Sequence, residues 1–292
     1  MSYTWVFLSL IAAFTLATSD ALTKKALSEK NEYLVAWSRL LFSLPFLVLL
    51  WIFVPTPNLD CEFWTALVLA LPLEIMALIL YIKALRISPL SLTLPFLSLT
   101  PVFLIVVSYL IIGEKVSLKG IGGIFFLAAG SYTMNLRELR KGIVGPFRAV
   151  IKEKGSVLMI VVAFLYSITS SLGKVAIMHS SPLFFGTTYF IILTIIFAPV
   201  ACWMDRYELK GFIAEKQYRG LFGPGLLYFI MVVSHMVALS LTKVAYMISL
   251  KRTSLLFGVI YGYFFFREKN IQERFAGALL MFIGFVMIVT AE

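Results

Sequence analysis

The sequence predicts an all-α membrane protein of ten transmembrane helices, arranged as two inverted five-helix repeats. Three observations carry that prediction. The composition is 61% hydrophobic and only 14% charged, with a mean hydropathy of +0.95, far more apolar than a soluble domain. Apolar runs of about 20 residues, the length that crosses a bilayer, recur down the whole chain. The end of one half lies over the end of the other without a gap.

The runs fall at 4–23, 33–53, 63–82, 90–112, 119–136, 156–176, 183–203, 221–241, 246–266 and 274–290. They are continuous rather than alternating, which excludes transmembrane strands. The first, within "MSYTWVFLSLIAAFTLATSDALTKKAL", has no basic residues before it and no small-residue cleavage site after it, so it reads as a retained helix. The fourth run holds Pro89, Pro95 and Pro101 while the ninth holds no proline, so a bend is expected in the fourth. Cys61 and Cys202 are too few and too far apart to suggest a disulfide framework or a metal site, and the helix map puts them on opposite faces.

The repeat is clearest at the ends of the halves. "YLIIGEKVSLKGIGGIFFLAAGS" superposes on "YFFFREKNIQERFAGALLMFIGF" without a gap, pairing Tyr109 with Tyr263, Glu114 with Glu268, Gly123 with Gly277 and Gly130 with Gly284. Upstream, "DALTKKA" matches "SSLGKVA" and pairs Lys24 with Lys174. An odd number of helices per unit makes the second copy enter the membrane in the opposite sense, the signature of an inverted repeat. The expected units are 1–136 and 156–292, joined by a basic connector, 137–155.

These features together resemble the EamA-type transporters of the drug/metabolite transporter superfamily. The residues that carry the resemblance are the "GEK" and "REK" ends of the fourth and ninth runs, the Gly-spaced fifth and tenth runs, and "SPLSLTLPFLSLTPVF". The resemblance covers essentially the whole chain. It implies two halves around a central cavity with the fifth and tenth helices packed away from it, where Gly123, Gly130, Gly277 and Gly284 would permit close helix approach. It also implies a transport function and cytoplasmic termini.

Charge argues for the other orientation. Nineteen of the 25 Lys and Arg residues fall in odd-numbered loops or adjoining helix ends, and the second loop, "VPTPNLDCEF", has none. By the positive-inside rule the odd loops are cytoplasmic and both termini face out. The net charge of +10 follows from this bias and gives no reason to invoke nucleic acid.

Ionisable residues inside the runs are the functional candidates, because charge in hydrocarbon is expensive. Glu74 sits mid-run in "LALPLEIMALILYIKALR", two residues after Pro72, a position suited to proton coupling, recognition of a substrate amine, or a structural pair. Aligning Lys83 with Lys243 puts His235 within one residue of its repeat equivalent. Asp20 and Lys24, four apart, can pair on one helix face, and Arg39 is a second partner for Asp20 or snorkels to the interface. Lys174 and Lys251 are candidate contacts for a carboxylate or phosphate on the substrate, Arg252 reads as snorkelling, and Glu114 and Glu268 read as interface markers.

The sequence has no "GxxxxGK[ST]" loop for ATP, and no "HExxH", "GxSxG" or clustered His and Asp. No enzyme activity, cofactor or metal is expected. The expected partners are a small-molecule substrate, the bilayer and protons. The leading reading is a secondary transporter of a small organic metabolite such as an amino acid. A membrane-embedded enzyme acting on lipid or isoprenoid, and a non-transporting receptor or scaffold, are the alternatives.

Overall fold

The computed structural model describes residues 3–26, 32–88, 94–133, 153–204, 220–266 and 271–291. Most of the expected basic connector lies outside them, as do Pro89 and Glu268. All regular elements among the described residues are helical: α1 (Thr4–Ala26), α2 (Glu32–Phe53), α3 (Cys61–Ile87), a short 3-10 helix (Leu94–Leu99), α4 (Thr100–Ile112), α5 (Leu118–Thr133), α6 (Lys154–Met178), α7 (Pro182–Met204), α8 (Phe222–Leu241), α9 (Val244–Lys251), α10 (Ser254–Phe266) and α11 (Ile271–Val289). Six of them, α1, α2, α3, α6, α7 and α8, contain segments long and apolar enough to cross a bilayer. The rest are shorter or interrupted.

Helix ends follow local chemistry. Asp60 caps α3 by accepting the Phe63 N–H at 3.0 Å, and Glu62 adds negative charge to the first turn, where the helix dipole is positive. Glu153 caps α6, accepting the Ser156 N–H at 2.7 Å, and also binds Ser88 at the end of α3. Gly113 terminates α4 at φ +79, a left-handed conformation that costs glycine nothing.

The expected fourth span is broken, as its prolines suggested, into the 3-10 turn and α4, with Pro101 in the first turn of α4. The ninth, which has no proline, is broken too, between α9 and α10 at Arg252 and Thr253. The offset that pairs Tyr109 with Tyr263 also pairs Thr100, the first residue of α4, with Ser254, the first residue of α10.

Packing repeats the inverted symmetry. The helix α3 packs on α6 as α1 packs on α8, α4 packs on α6 as α1 packs on α10, and α2 meets α7 while α5 meets α11. Each of these cross-half contacts has a counterpart with the halves exchanged or maps onto itself. Glycine lets the α5 and α11 backbones touch: a Cβ at Gly123 would lie 2.8 Å from the Gly284 carbonyl oxygen, and one at Gly130 would lie 2.6 Å from that of Gly277.

The corner between α8 and α9 is held by opposite charges at opposite dipole ends. Lys174 Nζ donates to the carbonyls of Leu239 (2.6 Å), Ser240 (3.3 Å) and Thr242 (3.0 Å), where α8 ends. Glu114 accepts the Val244 N–H at 2.9 Å, where α9 begins. A cation at a C-terminus and a carboxylate at an N-terminus both complement the dipole. That contact explains why Lys174 tolerates burial, and it occupies a residue the sequence offered as a substrate contact.

Candidate functional site

Glu74 lies thirteen residues from either end of α3, about 20 Å from each by helical rise. It keeps part of its surface accessible although protein surrounds it on all sides, as expected of a group in the wall of an internal cavity. Its carboxylate meets the Thr169 side chain on α6 and the Tyr189 side chain on α7, and lies within electrostatic reach of Lys251.

Lys251 ends α9, where the ninth span breaks. Its Nζ is 3.1 Å from His235 Nδ1 on α8. The amine and the imidazole share that hydrogen bond. Next in the chain, Arg252 does not snorkel to the interface: its Nη2 donates to Thr100 Oγ1 at 2.8 Å. The two interrupted spans thus meet through a guanidinium from one break and a hydroxyl from the other.

Tyrosines complete the wall. Tyr166 on α6 couples electrostatically to Glu74, Tyr81, Tyr228 and Arg252. Tyr81 on α3 lies within reach of both Arg39 and Arg252. Tyr228 on α8 stands under the Arg39 guanidinium, 5.6 Å from its ring centroid, and packs edge-on against Phe190. Helices of both halves therefore supply one continuous polar cluster inside an apolar bundle.

Of the residues singled out in the sequence, Glu74, His235 and Lys251 come together here. Asp20 is held by Arg39 and so touches the margin of the cluster; the Lys24 side chain, its alternative partner, lies outside the described residues. Lys174 is engaged at the α8–α9 corner. In the sequence Arg252 reads as snorkelling, and Tyr81, Tyr166 and Tyr189 suit either a cavity or an aromatic belt, because a basic residue near a run boundary looks like an interface anchor and aromatic residues are plentiful throughout the runs. The one available signal for Arg252 was its adjacency to Lys251.

A second concavity, about 420 Å³, lies between α3 and α7 and is lined by Leu71, Pro72, Ile75, Met76 and Ile196 among others. It is almost entirely apolar, and Met76 and Ile196 are exposed on the outer surface. It suits lipid contact and offers no group for chemistry.

His179 also escaped attention in the sequence. It follows α6 and binds two carboxylates from the start of α3, Asp60 (Nδ1 to Oδ2, 2.6 Å) and Glu62 (Nε2 to Oε2, 2.6 Å). Asp60 holds the imidazole pKa above its usual value, and the Phe63 N–H and His179 hold the Asp60 carboxyl below the usual carboxylate range.

A family model described as the EamA-like transporter family matches the chain twice, over residues 3–136 and 153–290. No curated protein matches. A solved crystal structure aligns over 100% of this chain and 98% of its own at a TM-score of 0.73 and 12% identity, a likeness of fold.

Proposed function

Since the chain belongs to the EamA-like transporter family, we propose that it is a secondary transporter that carries a small organic metabolite, an amino acid or related compound, by alternating access between its two halves. In this reading the membrane arrangement is ten spans in two inverted five-helix units, with the interrupted pairs (3-10 helix with α4, α9 with α10) each serving as one span. Loop contacts support it: Asp60 and His179, Glu114 and Val244, and Ser88 and Glu153 each join loops that alternation puts on the same face. The excess of basic residues then makes the odd-numbered loops cytoplasmic.

The observation that carries the reading is a charged cluster among the described residues, around Glu74 at the middle of α3, built from both halves, at which two interrupted helices meet. Discontinuous helices around a midplane site are a recurring transporter device, because the freed backbone and the helix ends face the substrate. Glu74 is the proton-coupling carboxylate in this scheme. It stands among protonatable neighbours, and its ionisation state sets whether Lys251 faces an anion of the protein's own in the cavity. A proton taken up from one side and released to the other would tie that pairing to the transport cycle.

The test is counterflow in proteoliposomes with a panel of labelled amino acids and small organic acids, on the native chain and on Glu74→Gln, across pH. Movement of a solute whose pH dependence disappears in Glu74→Gln is the expected result. An unchanged pH profile in the variant assigns Glu74 a structural role, and absence of flux for every class of solute defeats the transport reading.

A further inference from the structure

Charge in the cavity is unbalanced. Among the described residues the cluster contains three cations, Arg39, Lys251 and Arg252, and Arg39 is paired with Asp20 at its margin. Glu74 faces Lys251, whereas the side chains acting on Arg252 are the phenols of Tyr166 and Tyr81, with no carboxylate among them. The unpaired requirement is therefore for negative charge on the solute, not positive.

Arg252 shows where that charge would sit. A guanidinium carries five donors in a fixed planar fork. Arg252 spends Nη2 on Thr100, while its Nε is buried with no hydrogen-bond partner. Buried donors are nearly always paired, so an unpartnered one within reach of Lys251, Tyr81 and Tyr166 marks a place for an acceptor. An oxyanion held by the Nε edge of Arg252 and the Lys251 ammonium would meet that need with charge-assisted bonds. The phenolic rings of Tyr81 and Tyr166, on two different helices, offer flat surfaces beside Arg252, and Tyr228 extends the wall toward Arg39 and Glu74.

We infer that the substrate is an organic oxyanion, a carboxylate or phosphate carried on a flat or unsaturated body, with its anionic head between Arg252 and Lys251 and its body against the tyrosine wall. An amine on the same molecule is accommodated by Glu74 but is not required. The inference rests on the transport reading of this cavity and specifies what the cavity selects. The repeat supplies an internal contrast, since the offset that matches Thr100 with Ser254 matches Arg252 with Ser98. Only one half carries the anion-binding group.

Binding without transport tests this. The full chain in lipid nanodiscs is titrated with phenylalanine, phenethylamine, 3-phenylpropionate and phenyl phosphate, which share a ring and differ in the head group, and protection against thermal unfolding is read. Arg252→Ala, Arg252→Lys and Ser98→Ala are measured beside the native chain, with elution as a monodisperse peak establishing that each is folded. The expected result is protection by the acids at concentrations at least about tenfold below any effect of phenethylamine. That protection should be lost in Arg252→Ala, be partly retained in Arg252→Lys and be unchanged in Ser98→Ala. If Arg252→Ala does not fold, loss of the preference for acids in Arg252→Lys carries the same weight. The ranking of 3-phenylpropionate against phenyl phosphate tells whether the head is a carboxylate or a phosphate. Phenethylamine binding as well as the acids, or acids protecting Arg252→Ala as they protect the native chain, overturns the inference. A chain that shows counterflow of an amine or neutral solute but no protection by any acid keeps the transport reading and loses this one.

Discussion

The two repeats treat their fifth helices alike and their fourth helices differently. The helices α5 and α11 cross through glycines that exchange places under the pseudo-two-fold, Gly123 on Gly284 and Gly130 on Gly277. The fourth span carries prolines and a 3-10 turn; the ninth has none and ends a regular helix at Lys251. Yet both resume as α-helix at repeat-equivalent residues, Thr100 and Ser254. The interruption thus belongs to the architecture, and proline is one local way of accommodating it. Where proline is absent, the break instead brings Lys251 and Arg252 to the cavity.

The largest expected effect tests the likeness. Valine at Gly130 or at Gly284 would drive a side chain into the backbone of the facing helix, and overpacking of this kind costs about 1–3 kcal/mol. Both variants should lower the melting temperature in detergent, and by similar amounts. A large loss at one with none at the other would break the symmetry of the rear wall.

A smaller effect tests the difference. Pro101 occupies the first turn of α4, where a missing N–H costs nothing. Pro101→Ala should leave the interruption in place and change stability by about 1 kcal/mol or less, through the unfolded chain. A structure of the variant with one continuous helix over 94–112 would return the cause of the break to proline.

The smallest effect concerns the helix starts. The third helix of the first half is capped by Asp60, while its counterpart α8 follows Leu221, with no side-chain cap. His179 exploits that difference. Its pKa is raised, so the stabilisation from imidazolium is complete below its ordinary value of 6.5 and fades as pH rises through the shifted one. The Asp60 pKa is lowered, so its contribution is present above 3.8 and is lost as pH falls through the shifted value. The gap in melting temperature between the native chain and His179→Gln should be widest between these limits and close as pH rises. All three groups are partly or largely exposed, so the gap should be small. A gap that widens toward alkaline pH would contradict the assignment.

Much of this was legible in the sequence, and for clear reasons. Bilayer thickness fixes the length of an apolar run, so Glu32–Phe53 and Pro182–Met204 appear close to where hydropathy puts them. Gapless matching of "YLIIGEK" to "YFFFREK" exposes the repeat because the same packing problem is solved twice. A lone carboxylate such as Glu74 stands out since hydrocarbon penalises it. The cap on α3 could likewise have been read from Asp60 and Glu62.

Other features depended on which helices touch. Composition cannot say that Lys174 ends on the carbonyls of α8 while Lys251, equally basic and also near a run boundary, faces Glu74 and His235. Nor can it choose between snorkelling and Asp20 for Arg39, which the structure pairs with Asp20. The sequence by itself determined the solvent the chain folds in, its two-fold repeat and the residues that are costly to bury. Only the tertiary structure decided which costly residues share a cavity, because a side chain's direction and partners are set by long-range helix packing and local pattern carries no record of it.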